Sequence, residues 1–124
     1  MEPKRLPPTL RAKSRYIIVE VLSERATTFE EFTTALRQTM LNLLGELTTS
    51  EARIWPIRNL WNIKEQKGVL KCGHDRVEHI RAALTLITMV GESRASVRVM
   101  GVTGTIKSAR NKYLGMPALT TYQK

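Results

Sequence analysis

The 124-residue chain is long enough for one hydrophobic core and too short for two, and its 42% hydrophobic and 25% charged content is that of a folded globular protein. Its longest apolar stretches, such as Ala82 to Val90, are broken by threonine and fall short of the ~20 residues that a membrane span requires, which excludes a transmembrane helix. The net charge of +9 is unevenly spread: residues 1–15 carry five Lys or Arg against one acid, residues 94–124 carry six against none, and residues 16–93 carry nine against ten.

In chain order, residues 1–13 contain Pro3, Pro7 and Pro8, lack periodicity and read as an extended basic arm. No apolar stretch follows the basic N-terminus as in a secretory signal, and the single Cys72 has no partner for an internal disulfide, so an intracellular, cytoplasmic protein is expected. A single domain over 14–115 and a tail over 116–124 follow. In Tyr16-Ile17-Ile18-Val19-Glu20-Val21-Leu22, β-branched residues dominate, and the period of two puts Ile17, Val19 and Val21 on one face of a strand. Thr28-Phe29-Glu30-Glu31 has the form of a capping box, and Phe32, Leu36, Met40, Leu43, Leu44 and Leu47 continue from it as the apolar stripe of a helix. Gly45 and Thr48-Thr49-Ser50 are expected to end that helix.

Ala52 to Lys64 has the aromatic and β-branched content of a long, irregular strand, with Pro56 suited to an edge or a bulge because it lacks an N–H. Glu65-Gln66-Lys67-Gly68 reads as a hairpin turn and Val69 to Cys72 as the returning strand. Asp75 is placed to cap a second helix, with Val77, Ile80, Ala83, Leu84, Ile87 and Val90 on its buried face and Gly91 at its end. Ala95 to Val102 alternates as a strand, and Thr105 to Leu114 reads as a short basic helix stopped by Gly115 and Pro117. The order predicts an α+β domain of the ferredoxin-like, RRM-like class: a βαββαβ antiparallel sheet with two helices on one face, plus the C-terminal basic helix. What covers the other face is left open, and the topology decides no function.

Stretches of basic residues without acids create a field suited to a polyanion, which makes nucleic acid the leading partner; the alternative is a solvated basic tail. A membrane surface fits poorly, since neither basic end holds a strongly apolar amphipathic helix. The aromatics that usually stack bases on such a sheet are mostly missing: Gly68 to Cys72 has none, and the first strand offers only Tyr16. Trp55 and Trp61 share a strand parity and could stack bases, although core or partner packing is the commoner role of an indole. Phosphate contacts from the chain ends are therefore expected to dominate, with Arg5, Arg11, Lys13, Arg15, Arg98, Lys107, Arg110 and Lys112 as the candidate RNA-binding residues.

Cys72, His74, Asp75 and His79 form the one cluster with metal-ligand residue types, and their spacing matches no zinc motif; no metal site is expected. His74 and Asp75 are better read as a turn and a helix cap. No catalytic constellation stands out, since no serine lies in a nucleophile elbow and Gly101-Val102-Thr103-Gly104 is not followed by the Lys-Ser/Thr of a phosphate loop. The glycine-containing exit from the last strand leads into a helix start whose N–H groups suit a phosphate, with Lys107 and Arg110 three residues apart; plain capping by Thr105 is the alternative, and both stay open.

Three segments carry a resemblance: Leu10-Arg11-Ala12-Lys13-Ser14-Arg15-Tyr16-Ile17; Gly68-Val69-Leu70-Lys71-Cys72 leading to Arg81-Ala82-Ala83-Leu84; and Val102-Thr103-Gly104-Thr105-Ile106-Lys107-Ser108-Ala109-Arg110. In this order they resemble the archaeal ribonuclease P protein component 2 family, which has relatives in eukaryotic ribonuclease P and MRP. The resemblance implies a non-catalytic subunit that pairs with a second protein, component 3, and binds the catalytic domain of the ribonuclease P RNA. It implies that the RNA and its Mg²⁺ remove the 5′ leader from precursor tRNA, which is engaged through the holoenzyme. It leaves open a pairing of two copies within a heterotetramer, and the lack of a long acidic tail favours an archaeal form. The competing reading is a ferredoxin-like regulatory or oligomerisation module, which has no need of acid-free basic ends.

Overall fold

The run of β-branched residues after Arg15 forms the central strand, β1 (Ser14–Ser23), of a computed structural model that describes residues 13–114. The arm and tail expected at either end lie outside the described residues, apart from Lys13. After β1 come α1 (Phe29–Glu51), β2 (Trp55–Pro56), β3 (Lys67–Gly73), α2 (Val77–Thr85), β4 (Met89–Val90), β5 (Ser93–Thr103) and α3 (Ile106–Ala109), which runs into a π-helical turn, Arg110–Leu114. The sheet order is β2-β3-β1-β5-β4, with every neighbouring pair antiparallel. Among the described residues the architecture is thus α+β, a five-stranded antiparallel sheet with three helices. It departs from the expected element order by the two-residue β4 between α2 and β5.

Ile17, Val19 and Val21 point to α1 and α2 as the alternation requires, and Ile18 points the other way, although all four are buried. The register against β5 shifts between Ile18, opposite Gly101, and Val19, opposite Val99, so Met100 is the extra residue of a β-bulge. The capping box forms as expected: Thr28 Oγ1 accepts from the Glu31 N–H at 3.1 Å, and the Thr28 N–H donates to Glu31 Oε1 at 2.9 Å. Phe32, Leu36 and Met40 bury the first part of the α1 stripe against Ile80, Ala83 and Leu84 of α2 and against the sheet.

Gly45 (φ 80°, ψ 171°) breaks α1, as its freedom at positive φ allows, but the chain re-enters the helix to Glu51 instead of ending at Thr48-Thr49-Ser50. The Thr49 hydroxyl donates to the Met40 carbonyl at 3.2 Å across this break. The buried stripe does not continue past this break: Leu47 beyond it is exposed, and of the two leucines just before it Leu44 packs on the core while Leu43 is exposed.

The long strand expected over Ala52 to Lys64 is not formed; only Trp55–Pro56 pairs with β3. Arg53 takes a positive φ of 52°, and after Pro56 the chain coils into a 3₁₀ turn, Arg58–Leu60. Pro56 does sit on an edge strand, where a missing N–H costs no ladder bond. Trp61 turns inward, stacking on Phe32 (centroids 5.4 Å, planes 17° apart) and meeting Phe29 edge-on at 6.4 Å. Gly68 is required beneath it, since a Cβ there would stand 2.6 Å from the indole. The turn into β3 spans 63–66, closed by the Asn62–Lys67 bridge.

The second helix also differs from expectation. His74–Arg76 is a 3₁₀ turn, Arg76 is the N-cap without a side-chain bond, and Asp75 instead faces Arg53 at 3.8 Å. Ile87 and Val90 are buried as expected, but beyond the helix, which ends at Thr85; Val90 belongs to β4 and Gly91 (φ 62°) to the turn into β5. A three-residue spacing of apolar residues holds on both sides of Thr85, so periodicity cannot mark that end.

The other face of the sheet has its own small core: Ile18, Val69, Leu60 and Ala109, with Tyr16, Ile57 and Met100 packed against it. Ala109 brings α3 into this cluster, so the C-terminal helix is part of the fold's second layer. Gly115 and Pro117, the expected stops, lie outside the described residues. Among the described residues, no helix is long and apolar enough to cross a membrane.

Candidate nucleic-acid interface

Antiparallel pairing brings the start of β1 and the ends of β3 and β5 to one end of the sheet: Ser14 lies opposite Gly73, and Tyr16 opposite both Lys71 and Thr103. Lys13 and Arg15 enter there, Lys71 leaves there, and Lys107, Arg110 and Lys112 follow directly from β5. The turn after β3 adds His74 and Arg76, and Arg53 reaches over it. Two acids share this end and are already engaged, Asp75 by Arg53 at 3.8 Å and Glu51 by Arg76 at 3.3 Å. Among the described residues no carboxylate lies within ion-pair distance of Lys13, Arg15, Lys71, Lys107, Arg110 or Lys112. Lys13, Lys71, Lys107 and Lys112 are exposed, and Arg15 and Arg110 are half-buried.

The opposite end is balanced. Arg98 sits across from Glu20 and pairs with it, and Lys67 meets Glu65 at 3.2 Å. Arg98 therefore stands about 20 Å along the strands from the Lys13 end, at ~3.3 Å per residue. Of the sequence-derived candidates, the structure gathers Lys13, Arg15, Lys107, Arg110 and Lys112 and leaves Arg98 apart; Arg5 and Arg11 lie outside the described residues.

The helix start after β5 follows the capping alternative. α3 has four residues, and the Thr105 hydroxyl accepts from the Ser108 N–H at 3.1 Å.

Set against known proteins, residues 15–114 match the sequence profile of the Rpp14/Pop5 family. The chain belongs to the Rpp14/Pop5 family. It is 40% identical over 114 residues to ribonuclease P protein component 2 of Pyrococcus abyssi, covering 92% of this chain and 95% of that one. The component 2 proteins of Thermococcus gammatolerans (41% over 113 residues, 91% of this chain and 92% of that one) and Methanosarcina mazei (36% over 111 residues, 90% and 92%) are similar. A chain in the cryo-EM structure of yeast ribonuclease MRP superposes with a TM-score of 0.58 over 77% of this chain and 76% of that one. At 8% identity this is a likeness of fold alone.

In this Rpp14/Pop5 chain, Arg53, Lys71, His74 and Arg76 were invisible to a charge count by segment. They lie in the stretch 16–93 whose net charge is near zero, and only the fold carries them to the basic end: Lys71, His74 and Arg76 through the register of β3, and Arg53 through its approach to Asp75. The four metal-ligand residue types diverge: Cys72 is 1% exposed and faces the main core, while His74 is exposed, with Nδ1 3.2 Å from the Lys13 carbonyl. Among the described residues no three His, Cys, Asp or Glu side chains group to hold a metal ion.

Burial, partly offset by nearby Arg53, pushes the Cys72 thiol up to about 11 from an ordinary 9.0. A raised folded-state value favours the protonated thiol, so its contribution to stability is complete below pH 9 and is lost as pH rises through about 11. Native protein at pH 8 is expected to resist a thiol reagent that modifies the urea-unfolded chain rapidly. Rapid modification of the native protein would place Cys72 outside the core.

Proposed function

We infer that this chain is a protein subunit of ribonuclease P whose basic sheet end binds the RNA of the enzyme. The carrying observation is the convergence on one end of the sheet of six cations that have no carboxylate partner among the described residues: Lys13 and Arg15 from the start of β1, Lys71 from β3, and Lys107, Arg110 and Lys112 from the helical segment after β5. Identity of about 40% to archaeal component 2 proteins along nearly the whole chain supports the subunit role. By the same reading, β2, β3, β1 and β5 form a ferredoxin-like core to which β4 is an added edge, with α1 and α2 on one face.

The partners that fit this reading are ribonuclease P RNA, the component 3 protein and, through the holoenzyme, precursor tRNA, with two copies of this chain pairing in a heterotetramer in the cytoplasm. In this reading the Mg²⁺ of the reaction belongs to the RNA, and no step passes through it on this protein. What the chain itself supplies is fixed positive charge that offsets phosphate repulsion in the folded RNA.

Precursor-tRNA cleavage reconstituted across a Mg²⁺ series tests this. Purified chain with Mg²⁺ alone is expected to leave the substrate uncut. With the RNA and component 3, adding the chain should lower the Mg²⁺ needed for cleavage at the same phosphodiester. Cleavage without RNA, abolished by one carboxylate or histidine substitution in this chain, would overturn the assignment.

A further inference from the structure

The two tryptophans have opposite fates. Trp61 is packed on Phe32, whereas Trp55 is 69% exposed on the edge strand β2. The face on which Trp55 stands follows from the pairing. Leu70 and Cys72 of β3 belong to the main core and Val69 to the second cluster, so Lys71 projects on the second face. Trp55 is directly opposite Lys71, and Lys71 is directly opposite Tyr16. Its neighbours agree: Ile54 packs on the main core and Ile57 on the second cluster. Trp55, Lys71 and Tyr16 therefore form one transverse row across three strands, spanning about 10 Å, two strand spacings of ~4.8 Å.

The row lies at the basic end. Tyr16 is anchored in the second cluster, Lys71 is exposed, and Arg53, whose side chain is half exposed, is two residues from Trp55. The apolar neighbour on this face, Ile57, is packed into the second cluster, and the exposed groups flanking the indole are Lys71 and Arg53, the latter facing Asp75 at 3.8 Å. An exposed aromatic beside fixed positive charge is the arrangement that takes an unpaired nucleotide, with the base on the ring and the phosphate on the ammonium.

We propose that Trp55, Lys71 and Tyr16 form a stacking site for single-stranded RNA. An unpaired base lies on the Trp55 indole, Lys71 meets the adjoining phosphate, and Tyr16 bounds the site on its inner side. The site rests on the RNA-binding reading above and adds a sequence-tolerant contact that requires unpaired bases, where the surrounding Lys and Arg recognise only phosphate.

Titration of the full chain with a short oligoadenylate, and with a blunt RNA duplex of similar length, tests it by tryptophan emission. Trp61, half-buried and stacked on Phe32, is the internal reference, and the emission change is read as the difference between wild type and Trp55→Phe. The oligoadenylate should quench Trp55 emission and the duplex should not. Trp55→Ala should weaken oligoadenylate binding about 5- to 150-fold, as expected for the loss of one stacked base, and leave the salt slope unchanged. Trp55→Phe should recover most of that loss, and Lys71→Ala should reduce the salt slope by ~0.7. The melting temperature of Trp55→Ala should match wild type, because the side chain is exposed.

Wild-type RNA affinity in Trp55→Ala, with weakening in Lys107→Ala/Arg110→Ala, would overturn the stacking site while leaving the RNA reading intact. Absence of RNA binding by the wild-type chain at low salt would overturn both. Loss of component 3 association in Trp55→Ala, with RNA affinity unchanged, would assign the row to a protein contact and overturn the proposal.

Discussion

Phe32→Ala is expected to lower the unfolding free energy by about 3–5 kcal/mol, the range for emptying a buried aromatic site. The ring is 1% exposed and is held from two directions, by the Trp61 indole stacked on it at 5.4 Å and by the α1 face that it shares with Leu36 and Met40. Collapse into the cavity is resisted. Trp61 is also held by the close approach of Gly68, and β1 is fixed by pairing on both edges. A domain of this size has only ~5–15 kcal/mol in total, so the midpoint of a thermal melt should fall by roughly 10–20 °C. Leu47→Ala, on the same helix beyond the Gly45 break, should shift stability by less than about 0.5 kcal/mol, because its side chain is 74% exposed. Equal losses in the two variants would mean that the apolar stripe runs straight through Gly45.

That pair of substitutions also marks where the sequence stops being informative. Up to Met40 the signals are local: the Thr28–Glu31 box, the alternation in β1 and the spacing of Phe32, Leu36 and Met40 each specify an element within a few residues. Leu47 fits the same spacing and is exposed beyond Gly45, where the backbone leaves the helix, and a hydrophobic pattern has no record of that break. Between Ala52 and Lys64, β-branched and aromatic residues satisfy a strand pattern equally well when packed as an irregular segment. Trp61, Leu60 and Ile57 are spent on two different cores there. The second core was beyond local reading altogether, since it joins Ile18, Val69 and Ala109 from three distant segments.

The candidate interface was half legible for the same reason. The charge excess at the chain ends is a property of composition, and it pointed to Lys13, Arg15, Lys107, Arg110 and Lys112. Lys71 joins them and Arg98 leaves them through register, and Arg53 joins them by reaching Asp75 in the turn after β3.

This division sets the second large expected effect. If Lys13, Arg15, Lys71, Lys107, Arg110 and Lys112 each neutralise one phosphate, log affinity for the ribonuclease P RNA should fall with log salt at a slope of roughly −4 to −5, using ~0.7–0.9 per contact. Raising salt from about 50 to 200 mM should then weaken binding by about 10³-fold. Lys107→Ala with Arg110→Ala should flatten the slope by about 1.4–1.8, and adding Lys13→Ala and Arg15→Ala should double that change. Arg98→Ala should leave it unaltered: the guanidinium is already engaged by Glu20, so it displaces no counterion from RNA, and it lies at the balanced end of the sheet. Filter binding across a salt series measures all of these. A slope near zero would remove phosphate contact as the basis of binding. A slope that flattens equally for Arg98→Ala and Lys107→Ala would mean that overall charge, rather than its concentration at one sheet end, attracts the RNA. The register-built cluster makes the opposite demand, because released counterions count only those cations that the fold holds together and leaves without carboxylate partners.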